Sequence, residues 1–166
     1  MDVVSNQGPT GLDELFLRRS FDVARRAVIH GNHPFGAVLV DGDGNVLIEA
    51  ENGYMPSHDA TAHAERLLAT QACRTYSAEI LGRSTLYSSA EPCAMCAGAI
   101  YWAGIGRLVY GLSEHRLRAM TGAHPENPTL NLPCRKVFES GQRPVEVVGP
   151  VLEVEAEALH AGVWTK

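Results

Sequence analysis

The sequence predicts an α/β fold, a central mixed five-stranded sheet with helices on both faces. Three observations predict it. Short apolar runs that read as buried strands alternate with segments whose apolar residues recur at helical spacing. A strong turn signal, Asp41-Gly42-Asp43-Gly44, joins the first two strands as an antiparallel hairpin. The later strands are each followed by a helix start.

Taken in order, residues 1–10 read as a loose tail, with Gly8 and Pro9 ahead of any periodic pattern. From Leu12 to about His30 the apolar residues Leu12, Leu15, Phe16, Val23, Ala27 and Val28 recur roughly at helical spacing. Gly31 and Asn32 end that helix with residue types that tolerate a left-handed cap. Phe35 to Val40 is a nearly continuous apolar run, and Asn45 to Glu51 is its return strand. A polar loop leads to a helix opening near His63 and carrying Leu67, Leu68 and Cys73. A strand over about Thr85–Ser89 runs into a helix at Cys93, which Gly104 and Gly106 close. Another strand, Arg107–Gly111, precedes Ser113, a capping residue for a helix through about Met120. Gly122, Pro125, Pro128 and Pro133 make residues 121–134 a loop, read as folded over the site. A short helix over Arg135–Ser140, a strand at Val145–Val148 and a helix from about Leu152 to Gly162 complete the chain. Without an internal repeat or a linker, residues 1–166 read as one domain.

Composition narrows the function classes. Hydrophobic residues make up 45% and charged residues 20%, ordinary for a globular chain. There is no apolar run of membrane-spanning length. Met1 to Thr10 lacks the basic and apolar blocks of a signal peptide, and four cysteines make a poor disulfide scaffold, so a cytoplasmic location is expected. The formal net charge is −5. Arg18, Arg19, Arg25 and Arg26 cluster, but acidic and apolar residues separate them, as on the solvated side of an amphipathic helix. A small, weakly charged substrate is therefore favoured over a polynucleotide.

Two short stretches carry the chemistry, His63-Ala64-Glu65 and Pro92-Cys93-Ala94-Met95-Cys96. Either alone means little. A single C-x-x-C serves redox pairs and half-sites of zinc ribbons, and Cys73 and Cys134 supply no second pair. Together the stretches offer one imidazole and two thiolates. Three protein ligands leave one tetrahedral position of a zinc ion open to water, the arrangement of a catalytic site. Both stretches open helices, whose N-terminal dipoles favour thiolate at Cys93 and Cys96. Glu65 is placed to carry protons between that water and a departing amine. A solvated carboxylate near a helix start is its bland reading. Met95 and Ala97 read as core, Cys73 and Cys134 as ordinary buried thiols. His30, His33, His58, His115, His124 and His160 read as surface or capping groups, His124 being the one whose loop reaches towards the pocket.

The pattern H-x-E followed by P-C-x-x-C matches the zinc deaminase signature. With Pro34-Phe35-Gly36-Ala37-Val38, Asn52-Gly53 and Arg107-Leu108-Val109-Tyr110-Gly111, the chain resembles the cytidine deaminase-like superfamily over nearly its whole length. The closest branch holds guanine deaminases and tRNA adenosine deaminases. The resemblance implies a three-layer α/β/α fold, one zinc per chain (His63, Cys93, Cys96) and a homodimer. It implies that Asn52 bonds the base and that backbone groups at Ala64 and Glu91 hold the amine and carbonyl. Phe35 reads as both core and pocket wall. Ile100-Tyr101-Trp102-Ala103 resembles the free-base guanine deaminases, which would put Trp102 at the pocket; a plain core position is its other reading. A second acidic residue is implied in the C-terminal region, with Glu126 and Glu139 the candidates. The last 25 residues hold only Arg143 and Lys166 as basic groups, unlike tRNA-acting members. The expectation is a zinc-dependent aminohydrolase of a free, guanine-like base. Another aminopurine, a pterin, cytosine, an aminotriazine and tRNA are the alternatives, and a non-catalytic zinc or redox module is the reading from another class.

Overall fold

The computed structural model describes residues 8–165. Most of the expected tail, residues 1–7, lies outside them. The elements run α1 (Gly11–Ile29), β1 (Gly36–Val40), β2 (Val46–Glu51), α2 (Ala64–Thr75), α3 (Ala78–Gly82), β3 (Thr85–Ala90), α4 (Ala94–Ala103), β4 (Arg107–Leu112), α5 (Glu114–Thr121), α6 (Cys134–Glu139), β5 (Glu146–Val148) and α7 (Glu153–Ala158).

Thr10 belongs to α1 rather than to a tail. Its side chain accepts from the Asp13 N–H while Asp13 reaches back to the Thr10 N–H, a reciprocal cap. The five strands order as β2-β1-β3-β4-β5. β1 pairs antiparallel with β2 and β3, while β3–β4 and β4–β5 are parallel, so the sheet is mixed as expected. Strand alternation then builds two cores. Ala37, Leu39, Leu86 and Leu108 face α2, α3, α4 and α6. Val38, Val40, Tyr87 and Val109 face α1, α5 and α7. The result is three layers, α/β/α. Each fully buried leucine in these layers is worth about 2 kcal/mol.

The first helix corrects part of the expected stripe. Val23 and Ala27 are buried as expected, but Leu12, Leu15 and Val28 are exposed, and Asp13, Leu17, Ser20, Phe21 and Ala24 complete the buried face. This face brings Asp13 onto Arg107 and lets the helix backbone approach β1. A Cβ at Gly36 would lie 2.5 Å from the Ala24 nitrogen, so only glycine fits.

Three further differences matter. α3 was not expected; Ser77 caps it through the Ile80 N–H. α7 is shorter than expected because Leu152 takes a left-handed conformation before it and turns follow Ala158. Cys73 is exposed, while Cys134 is buried as expected. None of the described helices is long and apolar enough to cross a membrane.

Candidate active site

The parallel pair β3–β4 fixes the site. Their carboxyl ends, Ala90 and Leu112, pair side by side and release the chain into Glu91–Cys93 and Ser113–Glu114. Ligands of open α/β sheets gather at this edge. A cavity of about 790 Å³ lies there.

His63 and Cys93 are the N-caps of α2 and α4, with extended backbones, and neither side chain is used for capping. Cys96 lies in the first turn of α4. The His63 Nδ1 is 3.6 Å from the Cys93 sulfur and 3.5 Å from the Cys96 sulfur. With Zn–N near 2.0 Å and Zn–S near 2.3 Å, tetrahedral geometry separates nitrogen and sulfur by about 3.5 Å. The three side chains therefore fit one zinc ion. They form the one such cluster of histidine, cysteine and acidic side chains among the described residues, so no fourth protein ligand closes the set. Sharing of a proton with the Cys96 thiol, helped by His63, draws Cys93 down to about 4. Cys96, the partner that keeps the proton, is pushed up.

Glu65 is 5% exposed, so the bland reading of a solvated carboxylate fails. Burial pushes its carboxyl up. Its Oε1 lies 2.9 Å from the Ser88 Oγ, which is also 2.6 Å from the Ala90 carbonyl. A hydroxyl has one hydrogen. Ser88 can donate it to an ionised Glu65, or to Ala90 while accepting from a protonated Glu65. Sequence reasoning missed Ser88; the signal was a serine pair, Ser88-Ser89, in an otherwise apolar buried strand.

The cavity is lined by Asn52, Phe35, His63, Glu65, Glu91, Cys93 and Glu126 among the expected residues. Asn52 is buried and accepts the Tyr54 N–H at 3.1 Å through its side-chain oxygen. Glu91 accepts the N–H groups of Glu114 at 2.8 Å and Cys134 at 2.9 Å, so its carboxylate ties β3 to the starts of α5 and α6. Ala64 is fully buried at the first position of α2, where backbone N–H groups lack intrahelical partners. The 121–134 loop contributes Pro125 to Leu130 to the lining, and Glu126 is 3.0 Å from the His33 ring.

Two expected residues are elsewhere. Trp102 is 86% exposed and outside the lining. It lies nine residues beyond Cys93, about 13 Å along α4, on the side opposite buried Cys96 and Ile100. Glu139 is on the surface of α6, paired with Lys136 at 3.1 Å. His124 and His160 are buried rather than superficial, packing against Trp164. Trp164 donates to His160 at 3.1 Å.

The cavity has a marked charge. Its lining includes Asp59, Glu65, Glu91, Glu114 and Glu126 but no lysine or arginine. Burial, then the negative charge of Cys93, Glu91 and Glu65, pushes Glu114 up to about 7.

The fold and the metal cradle define a zinc-dependent deaminase, an aminohydrolase of C–N bonds. The profile of the cytidine and deoxycytidylate deaminase zinc-binding region matches residues 10–112, and the chain belongs to that family. A protein named probable cytosine deaminase from Schizosaccharomyces pombe is 41% identical over 152 residues, 92% of each chain. The guanine deaminase of Bacillus subtilis is 43% identical over 110 residues, 66% of this chain and 69% of the relative. A solved mutant of the protein NE0047 in complex with 8-azaguanine aligns with TM-score 0.73 at 27% identity, covering 90% of this chain and 82% of the other. tRNA-specific adenosine deaminases are among further relatives.

Proposed function

We propose that this deaminase, acting as one domain of residues 1–166, releases ammonia from a free, uncharged aminoheterocycle, with guanine-like bases first. The observation that carries this reading is the cavity wall: five carboxylates and no lysine or arginine. Such a wall repels phosphate and attracts N–H donors, in which guanine is rich. Nor does the surface offer free basic residues on α1. Arg18 pairs with Glu155, Arg19 and Arg26 with Glu49, and Arg25 with Asp22. These pairings speak against tRNA.

Bound by His63, Cys93 and Cys96, zinc would supply a nucleophile from water at neutral pH. Glu65 accepts a proton as the reaction begins and delivers one to the departing amine. The Ser88 hydroxyl turns to hold Glu65 in both states. Asn52 donates to the ring, the Phe35 face and the His63 imidazole pack on its plane, and the Ala64 N–H and Glu91 carbonyl flank the reacting edge. Glu91's carboxylate acts through the backbone it ties down. Glu126 is the second acidic group at the cavity. Four unpaired cysteines suit a cytoplasmic location. A homodimer completes the reading, and burial of Trp102 would be part of its interface.

Guanine, cytosine and transcribed tRNA offered to the zinc-loaded protein separate the possibilities. Ammonia from guanine is expected, with tRNA left unmodified. Inosine in tRNA without ammonia from either base would overturn the free-base reading. The full-length similarity to the S. pombe protein favours cytosine as the second reading; ammonia from cytosine alone would establish it.

A further inference from the structure

One carboxyl group in the cavity has no part in these steps. Glu114 opens α5 directly after β4 and is 6% exposed. It lines the cavity with Asn52, His63, Glu65 and Cys93. Its carboxyl oxygens accept no hydrogen bond from the described residues, and they are absent from the fully enclosed unpartnered atoms, Asn127 Nδ2 and His160 Nε2. The oxygens therefore open onto the cavity.

A glutamate in the first turn of a helix is often there for the dipole alone. That role needs no burial. Here the carboxyl is drawn out of water beside groups of its own charge, at a cost that no protein donor offsets. Its backbone is held from two sides. Glu91 accepts the Glu114 N–H at 2.8 Å, and Ser113, the cap of α5, sits 2.6 Å from Glu153. Leu117, one turn further on, lines the same cavity. The backbone beneath the group is fixed and the carboxyl lacks a donor, which a ligand can bring.

We propose that Glu114 is a specificity residue whose carboxyl accepts a ring N–H of the substrate while the reacting carbon lies at Glu65. This rests on the free-base reading above. A heterocycle methylated at that nitrogen has no hydrogen to offer and is rejected.

The test measures kcat and KM of zinc-loaded wild type, Glu114→Ala and Glu114→Gln on guanine and on its 1-, 7- and 9-methyl derivatives. A hydrogen bond to a charged group sets the scale, about 10- to 100-fold. For alanine, KM on guanine rises by that factor with kcat nearly unchanged; glutamine, which keeps an acceptor oxygen, recovers part of the loss. Wild type disfavours one methyl isomer, and the alanine variant no longer does. A KM within about twofold of wild type, or an undiminished methyl penalty, overturns the proposal. Should the alanine variant lose zinc or fold, the glutamine variant decides by the same methyl comparison. If wild type turns over cytosine instead, 1-methylcytosine takes the place of the methylguanines. Wild type inert on both bases would instead overturn the free-base reading beneath.

Discussion

Buried carboxylates stand at both ends of β4, and the two ends are opposites. At its start, Arg107 grips Asp13 with two bonds of 2.7 and 2.9 Å. Tyr87 and the Thr10 N–H add donors at 2.9 and 3.0 Å, and Asp13 is 2% exposed. Burial alone would raise this acid, but its donors outweigh it and hold Asp13 down at about 2. At the other end Glu65 and Glu114 are about as deeply buried, yet both are pushed up, because burial outweighs the single Ser88 hydroxyl at Glu65 and adds to neighbouring negative charge at Glu114. A carboxylate whose lone pairs are all satisfied is a fastening. One that is buried and left short of donors costs stability and is kept for what it binds or transfers.

The sharpest way to break this contrast is metal removal. Chelation of zinc should abolish ammonia release, and readded zinc should restore it; activity surviving in metal-free protein would erase the distinction between the two ends. Next in size is Asp13→Asn, which leaves Arg107 partly buried without its charge partner. Urea unfolding should show a loss of about 3 kcal/mol with kcat preserved; a loss of activity at full stability would place Asp13 in the chemistry. The contrast also has a pH signature. Asp13's folded value lies below its unfolded value, so its contribution is complete above about 3.8 and fades as pH falls through about 2. It amounts to about 2 kcal/mol. The stability gap between wild type and Asp13→Asn should narrow across that window.

Much of the site was legible because its parts are local. H-x-E and P-C-x-x-C each sit within one helix start, so spacing groups the residues of each half, and the order of strands and helices suggested that the halves meet. The hairpin and the main strands were legible for the same reason. What was hidden depends on distant partners. Burial of the polar Asp13 at the start of α1 depends on Arg107, far away in the chain. Glu114 and Ser88 become site residues through the parallel register of β3 and β4. Trp102 was misplaced because an aromatic residue near a motif says nothing about which side of a helix it occupies.

Smaller effects sharpen the comparison. Glu91→Gln weakens two charge-assisted bonds to backbone N–H groups. A roughly tenfold drop in kcat/KM is expected, whereas an unaltered value would free Glu91 from its positioning role. If the proposed homodimer buries Trp102, Trp102→Glu should sediment as a monomer where the wild type sediments as a dimer; a wild type that is itself monomeric would contradict the dimer. Glu139→Gln should change neither rate nor stability measurably, since its one partner is an exposed lysine.

The most direct measurement joins metal content to turnover in Glu65→Gln. One zinc per chain with ammonia release reduced by about a thousandfold or more is the predicted result. Turnover near that of wild type in the zinc-loaded variant would contradict it.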